Sequence, residues 1–210
     1  MQCKPAGTAI ASMSTKAAVV QQIFASSIAV KTASAQALSA PIAEAAGLLV
    51  ASLRKGGKIL SCGNGGSAAD AQHFSSEMLN RFDRDRAGFA AIALTTDAST
   101  LTSIANDYDY AQVFSKQVTA LGRAGDVLLA FTTSGASANI LNAIEAAQAL
   151  RIAVVLVTGK DGGKAAHALS AGDIELRVPD ASTARIQEVH LTIIHCLCEL
   201  IDRDFLGEPM

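Results

Sequence analysis

Tryptophan is absent from the 210 residues, and aromatic residues make up only 4% of them. With half of the chain hydrophobic, the core must be built from Ala, Val, Ile and Leu. Charge of one sign is missing too. The formal net charge of −2 carries no polyanion-binding signature, which argues against nucleic acid as a partner. No continuous apolar run approaches a membrane span; the best, residues 152–157, is strand-sized. The four cysteines, Cys3, Cys62, Cys196 and Cys198, form no CxxC pair. Cys196 and Cys198 lie two apart on a predicted helix and point to different sides, so they do not share a metal. Reduced thiols of a cytoplasmic protein are the expectation. Glu44 is the first acidic residue, and the segment before it holds Lys4, Lys16 and Lys31 but no arginine. The missing arginines and the lack of a leucine-rich block count against a targeting peptide.

What is present centres on Ser61-Cys62-Gly63-Asn64-Gly65-Gly66-Ser67, followed by Asp70, His73 and Glu77. This reads as a strand end, a glycine turn and a helix. The glycines let a ligand approach the backbone closely. Ser67 is read as an N-cap with Asp70 as its capping-box partner, leaving a helix N-terminus facing the turn. His73 and Glu77, four apart, share a helix face.

In chain order, residues 1–14 read as a loose tail and 15–210 as one domain of a length that supports a real core. Val20, Ile23, Phe24 and Ile28 recur at helical spacing. Pro41 then opens a second predicted helix with Ile42, Ala46, Leu49 and Leu53 on one face, ended by Gly56 and Gly57. Such stripes pack on the rest of the domain or on another copy of the chain. Strands are predicted at 58–62, 90–94, 126–131, 153–158 and 174–178. Helices are predicted at 68–80, 100–105, 113–121, 138–150, 163–168 and 182–205. Near-continuous apolar strands alternating with helices imply an α/β fold, a parallel five-stranded sheet covered on both faces. No repeat or low-complexity linker marks a second domain. Ligands of such sheets sit at the carboxyl ends of the strands.

A second loop, Thr132-Thr133-Ser134-Gly135-Ala136-Ser137, follows the third strand. Its hydroxyls, backbone N–H groups and helix start suit a phosphate, and the lack of a following lysine argues against a nucleoside triphosphate. Residues 63–68 also fit the dinucleotide pattern G-x-G-x-x-A. Asp83 and Asp85 lie in a charged segment and Asp97 comes too late, so the acidic partner of that pattern is missing. In the last helix Gln187, Leu191 and His195 form an i, i+4, i+8 row. With His73 and Glu77, a histidine of this helix and Gln187 make a possible N/O ligand set for a divalent metal. Spacing alone leaves both His190 and His195 open.

These motifs, with Asn106-Asp107, residues 158–163 and Ala184-Arg185-Ile186-Gln187-Glu188-Val189-His190, resemble the phosphoheptose isomerases of the sugar isomerase (SIS) fold. The resemblance runs from about residue 56 to the C-terminus. It implies a three-layer, flavodoxin-like sandwich preceded by N-terminal helices. It implies a sugar held by Asn64, Gly65, Gly66, Ser67, Asn106 and Asp107, with Gln187 beside it. It implies a phosphate held by Thr132, Thr133, Ser134 and Ser137, and one zinc per subunit on His73, Glu77, Gln187 and His195. It picks His195 over His190 and implies a homotetramer. The family usually reads Ser-Thr-Ser-Gly-Asn-Ser in the phosphate loop; Thr132 keeps the first hydroxyl and Ala136 drops a polar group. The chain also resembles a sister protein that binds the bacterial replication initiator DnaA. That protein lacks the counterparts of Glu77 and His195, which are present here.

The implied reaction interconverts sedoheptulose 7-phosphate and D-glycero-D-manno-heptose 7-phosphate, the first step of ADP-heptose and lipopolysaccharide core synthesis. A ketose becomes an aldose when protons move between C1 and C2 and between O1 and O2. Glu77 is the candidate for the carbon proton, and His195 for the oxygens, its ordinary pKa being near neutrality.

Overall fold

The computed structural model describes residues 15–209. The loose tail expected over residues 1–14, and Cys3 with it, lies outside the described residues. Five strands form one parallel sheet: β1 (Ile59–Gly63), β2 (Ala91–Ala93), β3 (Val127–Phe131), β4 (Ala153–Thr158) and β5 (Ile174–Arg177). Their spatial order is β2-β1-β3-β4-β5, which is the flavodoxin-like order, with its switch point between β1 and β3. The helices are α1 (Thr15–Arg54), α2 (Gly66–Leu79), α3 (Ala98–Asp107), α4 (Ser115–Leu121), α5 (Ala138–Ala149), α6 (Gly163–His167) and α7 (Thr183–Leu206).

The alternation of side chains along each strand divides the core in two. Ile59, Val127, Leu129, Phe131, Val155 and Val157 face α1, α2 and α7. Leu60, Cys62, Leu128, Ala130, Val154 and Leu156 face α4 and α5. Every residue of β1 and β3 is buried, as two-sided cover requires. Lys58 and Asp126, expected to open their strands, instead close the sheet from below. The Asp126 carboxylate accepts from the Lys58 backbone N–H at 2.9 Å and from its Nζ at 2.6 Å.

The two leading helices expected from Pro41 are one helix of 40 residues, with Pro41 inside it. A helical proline deprives the carbonyl four residues earlier of its donor. That residue is Ala37, which is exposed, so water can take the bond. Beyond the proline, Ala45, Ala46, Leu49 and Val50 are buried in the core beside α7, which holds the helix in register. This continuous helix is long and apolar enough to cross a membrane by length and composition alone, although no single apolar run in it is; the core helix of a soluble protein passes the same test.

Candidate active site

The turn after β1 and the turn after β3 face each other at the switch point. The helix after the first begins two residues earlier than its sequence suggests. Helix α2 starts at Gly66, with Gly65 as its N-cap at φ 56° and no side-chain cap. Ser67 is therefore not a cap and Asp70 is not its capping-box partner. Ser67 sits buried inside the first turn, where its side chain turns to a cavity instead. That cavity, of about 220 Å³, is lined by Asn64, Ser67, Thr132, Thr133, Ser134, Ser137 and Gln187 together with Phe131 and Thr183.

In the second turn the Thr132 hydroxyl accepts from the Gly135 N–H at 3.1 Å, which orients it and leaves its O–H to donate. Ser137 occupies the N-cap position of α5 without making a side-chain cap, which leaves its hydroxyl available to the cavity. Gln187 is pressed against the first turn of α2: a side chain at Gly66 would collide with its amide. A larger residue at position 66 would have to displace the end of the Gln187 side chain. The cavity is thus a small, hydroxyl-rich pocket at the start of two helices, suited to an anion.

A second group lies further along α2 and α7. His73 Nε2 is 3.1 Å from Glu77 Oε1 and 3.4 Å from His195 Nε2. The two imidazoles meet edge to face, with centroids 5.2 Å apart, and Phe82 lies beside His195 at 5.5 Å. The convergence of an early and a late helix, expected from the sequence, is present within one protomer. Gln187 departs from that expectation. It stands eight residues before His195, about 12 Å along the helix axis, and makes no hydrogen bond to His73, Glu77 or His195. Asn106 and Asp107 lie at the exposed end of α3, where the Asn106 amide donates to the Asp107 carboxylate at 2.8 Å, and neither lines the cavity. Helix α3 has no fully buried residue, although Leu101, Ile104 and Ala105 pack against the core and Tyr110, just beyond its end, reaches Asn64.

The structure separates the two histidines of α7. His190 is buried, with Nε2 3.0 Å from the Thr158 carbonyl, while His195 faces the His73–Glu77 pair. Burial holds the His190 pKa down, to about 4. His190 Nδ1 and Asp70 Oδ2, 3.9 Å apart, have no hydrogen-bond partner. Burial pushes Asp70 up to about 6, with the nearby His73 pulling the other way. Cys62 and Cys198 are buried and Cys196 is half-buried. Burial raises all three thiols, Cys62 to about 12, so they are inert packing groups.

Two residues that sequence reasoning passed over belong to this site. Asn139, in the first turn of α5, exchanges hydrogen bonds with Asn64, 2.8 Å each way. The Tyr110 hydroxyl donates to Asn64 Oδ1 at 3.2 Å. The only sequence signal for Asn139 was a polar residue inside an otherwise apolar helix face.

Comparison with known proteins agrees with this architecture. The pattern of the SIS domain family matches residues 22–159. A phosphoheptose isomerase of Thiobacillus denitrificans is 60% identical over 184 residues, 88% of this chain and 93% of that one. One from Alkalilimnicola ehrlichii is 58% identical over 188 residues, 90% of this chain and 96% of that one. Among solved structures, the phosphoheptose isomerase of Francisella tularensis superposes with a TM-score of 0.88 at 47% identity, covering 90% of this chain and 100% of that one. That of Neisseria gonorrhoeae gives 0.85 at 50%, covering 90% and 99%. The chain belongs to the SIS domain family, and within it to the phosphoheptose isomerases.

Proposed function

We propose that this protein converts sedoheptulose 7-phosphate to D-glycero-D-manno-heptose 7-phosphate through an enediol. The observation that carries the reading is that the same two helices, α2 and α7, carry a hydroxyl-lined anion pocket at their starts and a carboxylate and an imidazole facing each other further along. The names of its relatives support the same substrate. The relatives give no support to the DnaA adaptor reading.

In this reading Thr132, Thr133, Ser134 and Ser137 hold the phosphate, far from the reacting carbons. Its binding energy therefore serves to orient C1 and C2. Asn64, the backbone around Gly65 and Gly66, and Ser67 hold the sugar chain between the two turns, with Asn106 and Asp107 closing from α3. Glu77 moves the proton between C1 and C2. His195 moves the proton between O1 and O2. The donors fit a zinc ion in part. Tetrahedral bonds of about 2.05 Å put ligand atoms about 3.3 Å apart, and His73 Nε2 stands 3.1 and 3.4 Å from its two neighbours. Among the described residues, no group of three or more His, Cys, Asp or Glu side chains is placed to hold a metal ion, so in this reading the side chains have to close on the ion and a further donor such as Gln187 has to be brought in. Bound there, zinc supplies Lewis acidity to the carbonyl oxygen and keeps Glu77 ionised. The same reading makes the protein a cytoplasmic homotetramer with one zinc per subunit, at the first step of ADP-heptose and lipopolysaccharide core synthesis.

The test is a ketose-to-aldose assay with sedoheptulose 7-phosphate. The wild type is expected to turn over, and Glu77→Gln to lose at least about 1,000-fold in kcat while keeping substrate affinity within a few-fold. A Glu77→Gln enzyme of full activity would remove Glu77 from the mechanism.

A further inference from the structure

The turns after β1 and β3 are separated by 75 residues of sequence, yet a single pair of side chains joins them. Asn64 Nδ2 donates to Asn139 Oδ1 at 2.8 Å, and Asn139 Nδ2 donates to Asn64 Oδ1 at 2.8 Å. Asn139 is buried and does not line the cavity. Asn64 does line it.

Counting donors and acceptors shows what the pair does. Asn64 Oδ1 has two lone pairs. One takes the Asn139 N–H and the other takes the Tyr110 hydroxyl at 3.2 Å. Its acceptor capacity is used up. Asn64 Nδ2 has two hydrogens, and one goes to Asn139. One N–H is left. In this arrangement Asn64 has only a donor left for a bound molecule, and a flip of its amide alone would set carbonyl against carbonyl and amide against amide across the pair. A free asparagine could flip its amide and present either group, and would do so with little preference.

We propose that Asn139 is a positioning residue that fixes the amide of Asn64 as a hydrogen-bond donor to an oxygen of the bound sugar phosphate, and holds the sugar-side turn at a set distance from the phosphate-side turn. The substrate class is a polyhydroxylated chain bearing a terminal phosphate. Its hydroxyl or carbonyl oxygen next to Asn64 accepts. Tyr110, exposed on the arm that follows α3, extends the same network to the segment carrying Asn106 and Asp107. The inference rests on the sugar phosphate reading of this cavity.

A double-mutant cycle tests it. Binding of sedoheptulose 7-phosphate is measured by calorimetry for the wild type, Asn64→Ala, Asn139→Ala and the double variant, with KM and kcat taken on the same four proteins. Asn139→Ala is expected to weaken binding about tenfold and to raise KM more than it lowers kcat. Because Asn139 acts through Asn64, the double variant should bind no more than about twofold worse than Asn64→Ala. Thermal unfolding checks each fold. Asn139→Leu, which keeps the branched outline of the side chain without its hydrogen bonds, replaces the alanine if that variant does not fold, with the same expectation. Losses that multiply in the double variant overturn the inference, as does an Asn139 variant that binds like the wild type. A wild type that binds sedoheptulose 7-phosphate while the cycle is multiplicative sinks this inference alone. A wild type that does not bind it sinks the substrate reading as well.

Discussion

Two histidines on one helix show how environment assigns roles to identical residues. His195 stands half-buried beside another imidazole and a carboxylate, where a proton can be exchanged. His190, five residues earlier, is sealed in the core with its Nε2 on the Thr158 carbonyl. Desolvation disfavours its charged form and holds its pKa near 4. The unfolded chain takes up that proton near pH 6.5, so acid favours unfolding. Stability from neutral His190 is present above pH 6.5 and is lost as the pH falls toward 4, by about 3 kcal/mol at full extent. Asp70 has the opposite sign. Its raised pKa gives stability that is present in acid and is lost as the pH rises through about 6. His190→Gln keeps a donor for Thr158 and removes one titration. Urea unfolding at pH 7 and pH 4.5 should show a smaller acid loss for this variant than for the wild type. Equal losses would mean that His190 is not held neutral.

At the level of elements, all five strands were legible within a residue or two, because buried parallel strands are apolar runs and little else in this chain is. The boundary errors have local causes. Strands β1 and β3 lost their first residues to the Lys58–Asp126 clamp, which pairs polar side chains rather than extending the ladder. Pro41 looked like a helix start because sequence rules see the missing donor and not the core that holds Leu49 and Val50. The site was legible where periodicity sets it, as with the His73–Glu77 pair, while spacing left His190 and His195 open and the family resemblance picked His195. It was illegible where tertiary contact sets it, as with Asn139 reaching Asn64 and Gln187 pressing on Gly66. The hydroxyl turn has a tertiary brace of its own. Gly135, at φ 62°, sits so tightly on the Gly162 carbonyl that a methyl group there would overlap it, and its own carbonyl accepts from the Ala165 N–H at 2.9 Å. Gly135→Ala should therefore push the turn off the β4–α6 loop. The expected result is a rise of about tenfold or more in KM and a melting temperature lower by several degrees, read by steady-state kinetics and thermal unfolding. An unchanged KM with a lowered melting temperature would make the brace structural only.

For the whole molecule, the protomer leaves one feature without a partner. Helix α1 is about 60 Å long, and only its later part is covered by the core. On the earlier part Val19, Val20, Ile23, Phe24 and Ile28 are exposed, Phe24 by 65% and Ile28 by 64%. A row of large apolar side chains at helical spacing is costly in water and marks an association surface. Just beyond it, an apolar groove of about 320 Å³ runs between α1 and α7 past Leu38, Ile42, Val189, Ile193 and Leu200. The row lies close to the site, because Arg185, two residues before Gln187, donates to the Ile23 carbonyl at 2.8 Å. A second copy seated on this row would press on the first turns of α7, so assembly and catalysis should be coupled. Glutamates at positions 24 and 28 place two charges in such an interface and leave the sheet, both turns and all the proposed catalytic groups untouched. The variant Phe24→Glu/Ile28→Glu should show a lower mass than the wild type by light scattering and lose at least about tenfold in kcat/KM, while its far-ultraviolet circular dichroism stays that of the wild type. A doubly charged variant that keeps the wild-type mass would mean that this row is not an interface, and one of lowered mass with full activity would show that a single protomer carries the complete site.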